Sequence, residues 1–291
     1  MAEKRYVVIV AYEPEKDKLY DTCACIIKQG SNPIIVDNSE KEKISEEDLP
    51  ANAILISLGE NKGIAAALNE GIRYVRKCNA NIITFFDQDS VVTGNILDEL
   101  QQGVISLQGV VAPIYIDAAS GNEYPSHVVS QIGMMKDVYS LNKSTPQKVD
   151  IVITSGTTLY MDVFDNVGEF DEDFFIDFVD IEWCMRCKKK SIPIYVLPYV
   201  QMTHCIGIKT ICCGGIRVNK HTPYRTYYKV RNSFILLRKV DNLVFCLRQI
   251  IPALIHNFLC IIGDSNWKEY LQYYYKGIID GIRGKKGRLE R

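Results

Sequence analysis

Two carboxylates one residue apart, Asp87 and Asp89, close the apolar run Ile82-Ile83-Thr84-Phe85-Phe86. At the end of a buried strand such a pair can clamp a divalent cation. Ions such as Mg²⁺ and Mn²⁺ take oxygen ligands and commonly complete their shell with substrate phosphates. Acidic residues end many strands, so the pair gains weight only from its neighbours. Asp180 stands within the aromatic, acidic run Phe174-Phe175-Ile176-Asp177-Phe178-Val179-Asp180-Ile181-Glu182-Trp183. A helical pattern begins there, and a carboxylate at its mouth is a candidate general base, because a base must first reach the proton it removes. Acidic first-turn residues and Lys188-Lys189-Lys190 in the last turn also suit the helix dipole. Glu182 and Arg186 form an i,i+4 pair, so part of this charge reads as structural. His204, beyond an apolar strand, could complete a metal shell or touch a diphosphate, although a lone histidine is more often structural.

Other residues suggest binding. Asp37 follows Ile34-Ile35-Val36 and could accept hydrogen bonds from a base or ribose, yet Asp37-Asn38-Ser39 is also ordinary turn chemistry. Asn61 can cap a helix, and Gly63 followed by alanines permits close approach of a ligand or simply of the sheet. Ser155 and Gly156 interrupt a strand-like stretch, where glycine marks a bulge or the approach of another group. Asp177 and Trp183 flank the base candidate. Arg225 and Arg231 lie in a tyrosine-rich, basic segment (residues 221–232) and could contact phosphates, while helix packing explains the tyrosines equally well.

The elements that must hold these groups follow from periodicity. Strands are expected at 6–10, 33–36, 53–58 and 82–86, with helices at 16–29 and 63–77 between them. Short apolar strands alternating with helices argue for a mainly parallel sheet covered on both faces, whose ligands sit at the carboxyl ends of the strands. Asp37, Asp87 and Asp89 all lie there. From about residue 110 the pattern changes to strands at 110–116, 128–134 and 149–160, a helix at 180–190 and a strand at 194–197. Helices at 224–239 and 243–262 follow. The last is apolar enough to raise a membrane-crossing question. Arg248, Gln249, Pro252, His256 and Asn257 interrupt it, which favours a packed or interfacial helix. The chain of 291 residues, 47% hydrophobic, can bury a substantial core. Its net charge of −1 gives no global reason to expect nucleic acid as a partner. Ten cysteines without repeating spacing read as free thiols of a reducing cytoplasm.

Taken together, the residues resemble one family. Val8-Ile9-Val10-Ala11-Tyr12, Val36-Asp37-Asn38-Ser39, Asn61-Lys62-Gly63-Ile64-Ala65, Phe86-Asp87-Gln88-Asp89-Ser90, Asp177-Phe178-Val179-Asp180-Ile181-Glu182-Trp183 and Tyr227-Tyr228-Lys229-Val230-Arg231-Asn232 make the chain similar to family 2 glycosyltransferases, in the bacterial rhamnosyltransferase-like branch. The resemblance implies an α/β GT-A fold, Rossmann-like and nucleotide-binding, with a mainly parallel central sheet plus C-terminal helices. It implies a catalytic domain at 1–215 and a packed helical extension at 216–291. It further implies an inverting transfer of a sugar from a nucleotide-diphosphate donor, dTDP-L-rhamnose first, to a saccharide acceptor of a cell-surface glycan. A UDP-hexose or UDP-galactofuranose donor is the alternative.

By the same resemblance Asp180 is the base, and Asp87 and Asp89 fill the metal-binding DxD motif, with Mg or Mn as cofactor and His204 as a third ligand. Asp37, Asn61, Gly63, Asp87, Arg225 and Arg231 belong to the donor side. Ser155, Gly156, Asp177 and Trp183 belong to the acceptor side. The family's usual acidic residue before the base is Val179 here, and the Gln-x-x-Arg-Trp motif of processive synthases is absent, which suits transfer of one or a few sugars.

Rival readings fit less well. Haloacid dehalogenase-type phosphohydrolases also carry an Asp-x-Asp after a strand, but after their first strand, and three precede it here. A sugar-nucleotide pyrophosphorylase wants a glycine-rich basic loop where this chain has Ala11-Tyr12-Glu13-Pro14. A catalytically silent sugar-nucleotide-binding or membrane-scaffold protein has no need of Asp87, Asp89 and Asp180 together. Near the C-terminus, Trp267 and several tyrosines precede Arg283-Gly284-Lys285-Lys286-Gly287-Arg288. This suits peripheral contact with the inner face of the cell membrane and a lipid-linked acceptor. A core-packing helix with a solvated tail explains the same residues equally.

Overall fold

The computed structural model describes residues 5–290 apart from 42, 93, 119, 205–208, 214–215 and 263, with side chains described outside 204–220. The first half alternates within one residue of the expected bounds: β1 (Tyr6–Ala11), α1 (Lys16–Lys28), β2 (Asn32–Asp37), β3 (Ile54–Ser57), α2 (Ile64–Lys77) and β4 (Ile82–Asp87). A further helix, α3 (Ile96–Leu107), precedes β5 (Val110–Asp117). All six residues of β1 are buried. Its two faces meet different layers, which is why the strand shows no polar alternation. On one side Val8 and Val10 pack with Ala65, Leu68 and Ile72 of α2. On the other, Val7 and Ile9 pack with Leu19 and Ile26 of α1 and Leu100 of α3.

The second half is more broken than its apolar pattern suggests. β6 (Glu123–Tyr124), β7 (Ser126–Val129), β8 (Met135–Val138), β9 (Gln147–Val149) and β10 (Thr158–Tyr160) are short. The stretch read as one strand over 149–160 is two, split by a hydrogen-bonded turn, and that read over 128–134 ends early where Gly133 N–H returns to Ser130 O at 2.9 Å. Then come α4 (Asp162–Val167), α5 (Val179–Lys189), β11 (Ile194–His204), β12 (Lys209–Cys213) and β13 (Ile216–Lys220). Helices α6 (Pro223–Lys239), α7 (Leu243–Ile262) and α8 (Trp267–Arg283) close the chain.

The main sheet runs β3-β2-β1-β4-β10-β5-β11-β9, with β6 beside β5. β3, β2, β1 and β4 are mutually parallel, as are β5 and β11, while β10 inserts antiparallel between β4 and β5. This insertion brings the turn before β10 against the end of β4, where the two carboxylates lie. Ile235 and Leu236 of α6 and Phe245 and Cys246 of α7 belong to the same buried core as the sheet. The C-terminal helices therefore share the core that supports the strand ends.

Candidate active site

At the exit of β4 the backbone is pinned from two sides. The Asp87 N–H lies 3.0 Å from Ser90 Oγ and 3.2 Å from Ser155 Oγ, and those two hydroxyls meet at 2.8 Å. Gln88 Oε1 accepts from the Tyr12 N–H at 2.6 Å, tying the exit of β1 to the same turn. The pinned turn leaves Asp87 half-buried and Asp89 exposed. Burial pushes the Asp87 carboxyl up to about 6, with the Asp89 charge adding to the shift and Arg225 opposing it.

Asp180 comes from a different element, in the first turn of α5, close enough to feel the Asp87 charge, and its Oδ1 accepts the Ile181 N–H at 2.8 Å. Burial raises its carboxyl to about 6 as well; that hydrogen bond opposes the shift, and the Asp177 and Asp87 charges reinforce it. The loop delivering Asp180 is unusual. Phe175, Asp177 and Phe178 have φ of 65°, 63° and 66°, each costing roughly 1–3 kcal/mol for a residue with a side chain. Asn232 holds this loop: its Nδ2 donates to the carbonyls of Phe174 (2.8 Å), Ile176 (2.6 Å) and Asp177 (3.0 Å). Arg231 donates to the carbonyls of Phe174 (2.9 Å), Asp173 (3.2 Å) and Gly287. Both side chains are fully buried. Arg231, expected at a phosphate, is instead consumed by backbone carbonyls and has no face left for a ligand.

The start of α6 does the opposite. Arg225 forks onto Asp177, with Nη2 2.8 Å from Oδ1 and Nε 3.1 Å from Oδ2, and it also feels the charges of Asp180 and Asp87. One turn later Lys229 lies 2.7 Å from Nε2 of His221. Burial lowers the Lys229 ammonium pKa, with Asp177 opposing and Arg225 adding. Burial likewise pushes His221 down to about 4, helped by Lys229 and Arg225, so His221 is the neutral acceptor of that bond. Two cations thus border three carboxylates. Lys229 stands within the motif Tyr227-Tyr228-Lys229, and its i,i+4 spacing from Arg225 is the sequence signal that puts both on one face.

The remaining expectations divide. Asp37 is buried at the end of β2, its oxygens accepting the N–H groups of Ser39 (3.0 Å) and Lys43 (3.2 Å), which is the turn role. Asn61 does not cap α2; its Oδ1 accepts from Gly63 N–H (3.0 Å) and Asn38 Nδ2 (3.2 Å) ahead of the helix. Gly63, at φ 90°, is required by Phe175, whose ring and carbonyl would lie 2.6 Å from any Cβ there. That close approach is made by the loop that carries Phe175.

Each of the four residues expected to meet an acceptor has partners within the protein. Ser155 is buried and braces Asp87. Gly156, at φ 79°, packs on Pro113 and Met202. Asp177 orients Arg225. Trp183 is buried among Phe164 and Phe170, its Nε1 donating to Gly168 O at 3.0 Å. Glu182 pairs with Arg186 through two contacts of 2.8 and 2.9 Å. Tyr115, unremarked in the sequence, braces the Ser155 turn by donating to Ser155 O at 2.8 Å.

Asp87 and Asp89 fit a hard divalent ion. They supply oxygen donors only, and a bound cation would offset both the burial that raises the Asp87 pKa and the smaller repulsion from Asp89. Among the described residues no group of three His, Cys, Asp or Glu gathers as a metal cage. His204 ends β11, and its side chain lies outside the described residues.

Comparison with known proteins agrees with this geometry. Residues 6–168 match the glycosyl transferase family 2 model. The chain is 36% identical to dTDP-rhamnosyl transferase RfbF of Shigella flexneri, over 97% of this chain and 96% of that one. It is 22% identical to the low-salt glycan biosynthesis hexosyltransferase Agl10 of Haloferax volcanii, over 100% and 95% respectively. Among solved structures, GalNAc-T7 with UDP, GalNAc and Mn²⁺ superposes with a TM-score of 0.62 at 14% identity, over 97% of this chain and 56% of that longer one. S. aureus TarS (residues 1–349) with UDP-GlcNAc superposes at 0.58 and 13% identity, over 97% and 81%. The fold is GT-A, and the chain belongs to glycosyl transferase family 2.

Proposed function

We propose that this enzyme transfers L-rhamnose from dTDP-L-rhamnose, with inversion, to a saccharide of a cell-surface glycan in the cytoplasm. The observation that carries the reaction is Asp180, a carboxyl raised to about 6 at a helix mouth, held by a clamped loop within the field of Asp87. The donor is argued from the 36% identity, across nearly the whole chain, to a dTDP-rhamnosyl transferase.

In this reading Asp180 takes the proton of an acceptor hydroxyl as that oxygen attacks the anomeric carbon. The bond from that carbon to the diphosphate breaks, and dTDP leaves from the opposite face. A divalent cation, Mg²⁺ or Mn²⁺, when held by Asp87 and Asp89, supplies charge neutralisation for the leaving diphosphate. Arg225 and Lys229 add fixed positive charge on the same side, and Asp177 keeps the Arg225 fork aimed. In this reading the base of the donor sits over the β2 exit, whose turn Asp37 holds. The acceptor is a lipid-linked saccharide, met at the inner face of the membrane.

Binding and slow hydrolysis of a sugar-nucleotide panel, with Mg²⁺, Mn²⁺ or EDTA, test this in the wild type and Asp89→Ala. Metal-dependent preference for dTDP-rhamnose, weakened in Asp89→Ala, is the expected result. Preference for a UDP-sugar discards rhamnose and keeps the mechanism. No binding to any member rejects the reading.

A further inference from the structure

Helix α7 is 20 residues long with a mean hydropathy of 1.7, and only a third of it is buried. Its buried face is well occupied: Phe245 and Cys246 enter the main core, and Cys260 and Ile261 pack with Tyr270 of α8. The opposite face is apolar too. Val244, Leu247, Ile251, Ile255, Phe258 and Ile262 recur three or four residues apart and are 42–59% exposed, forming a ridge about 30 Å long. Trp267, Leu271 and Tyr275 continue an exposed stripe along α8, and Phe258 meets Tyr274 across the two helices at 6.4 Å. A continuous apolar surface of this kind marks an interaction site.

Charge selects the occupant. Residues 243–291 hold eight Lys and Arg against four Asp and Glu, a net +4; three of those cations, Lys285, Lys286 and Arg288, are ion-paired in the tail, so the field at this face comes from the cations of the helices themselves. Arg248, Lys268 and Arg283 flank the stripe and are exposed. Apposing two copies through this face would bring like charges together. Anionic lipid headgroups complement it, with Trp267 and Tyr275 suited to the headgroup level. The basic tail is otherwise engaged: Lys285 pairs with Asp280 (3.2 Å), Lys286 with Asp173 (2.9 Å), Arg288 with Glu40, and Leu289 N–H donates to Tyr228 Oη (2.8 Å). The tail therefore staples α8 to the catalytic loop, and the α7 ridge is the surface left for a membrane.

We infer that the α7–α8 face lies flat in the interfacial layer of an anionic bilayer, as an embedded ridge rather than a span. The face is one helix from the chemistry: His256 of α7 lies 6.3 Å, ring to ring, from His221, the partner of Lys229. This deepens, and rests on, the lipid-linked acceptor reading, since it would hold the site at the depth of a membrane-borne glycan.

The test is co-sedimentation with phosphatidylcholine vesicles, with and without phosphatidylglycerol, for wild type, Ile251→Ser/Ile255→Ser and Lys268→Glu. Wild type should bind the anionic vesicles at least tenfold more tightly than neutral ones. The double variant should lose at least tenfold, and Lys268→Glu a few fold, with unchanged melting curves. Equal binding by wild type and double variant overturns the proposal. So does self-association abolished by the double variant without any vesicle binding. Sugar-nucleotide hydrolysis on the same samples separates the two readings. Hydrolysis without vesicle binding rejects the membrane face and leaves sugar transfer standing, whereas vesicle binding without hydrolysis supports the face and rejects the transfer reading.

Discussion

Two arginines of α6, one in its first turn and one at its middle, carry the same charge to opposite purposes. Arg225, near the start, is 42% exposed and forks onto Asp177 beside Asp87 and Asp180. Arg231, less than two turns later, has no exposed surface and spends its donors on three backbone carbonyls and Asn232 Oδ1. The first supplies field to the carboxylates, and the second shapes the loop that carries Asp180. Whether an arginine acts on a ligand or on its own chain is decided by what it meets. Free carbonyls of a loop with three positive-φ residues are a stronger claim on a buried guanidinium than a distant phosphate.

This contrast can be broken at either arginine. The largest effect should come from Arg231→Ala, which orphans buried carbonyls and should cost on the order of 3–5 kcal/mol of stability. Urea or thermal unfolding would read it, and Asn232→Ala should cost about 2–3 kcal/mol by the same route. If either variant melts like wild type while donor binding falls, the clamp assignment fails. Arg225→Ala should do the reverse. Melting should move little, and kcat/KM should fall roughly 10–100-fold for loss of one charge-assisted contact to a developing phosphate charge. A large stability loss there would erase the distinction between the two arginines.

The smallest effect is on the pH dependence of stability. A raised folded-state carboxyl means that the native Asp180 keeps its proton between about 4 and about 6 while the unfolded chain has lost it. Stability from this group is therefore full below about 4 and is lost as pH rises through about 6. Asp180→Asn removes that loss, so it should melt about 2–4 °C higher than wild type at pH 7.5 and equally at pH 4. A lower melting point at pH 7.5 would mean that the carboxylate is a structural partner rather than a strained functional one.

Much of this was legible in the sequence. β1, β2 and β4 are buried on both faces, so unbroken apolar runs located them within a residue, and Asp87 at a strand end followed at once. Asp180 at the mouth of α5 was legible because its neighbours are too apolar for a solvated face. Arg231 was not distinguishable from Arg225, since both are cations in one tyrosine-rich helix and only distant carbonyls separate them. Gly63 signalled close approach correctly, but Phe175, far along the chain, is what approaches. The turn over 150–157 was hidden because the Ser155 and Thr157 hydroxyls bind backbone within an apolar stretch. The exposed face of α7 was hidden for a related reason: both of its faces are apolar, and only packing shows which one the protein covers.

The most direct test is the pH–rate profile of sugar transfer in wild type and Asp180→Asn, with donor affinity measured alongside. Wild-type kcat/KM should rise with pH through about 6, where Asp180 loses its proton, and level off above it. Asp180→Asn should lose about 10²–10⁴-fold in rate and bind donor as before. Retained turnover in Asp180→Asn, or an unchanged acid limb, would show that another group removes the acceptor proton.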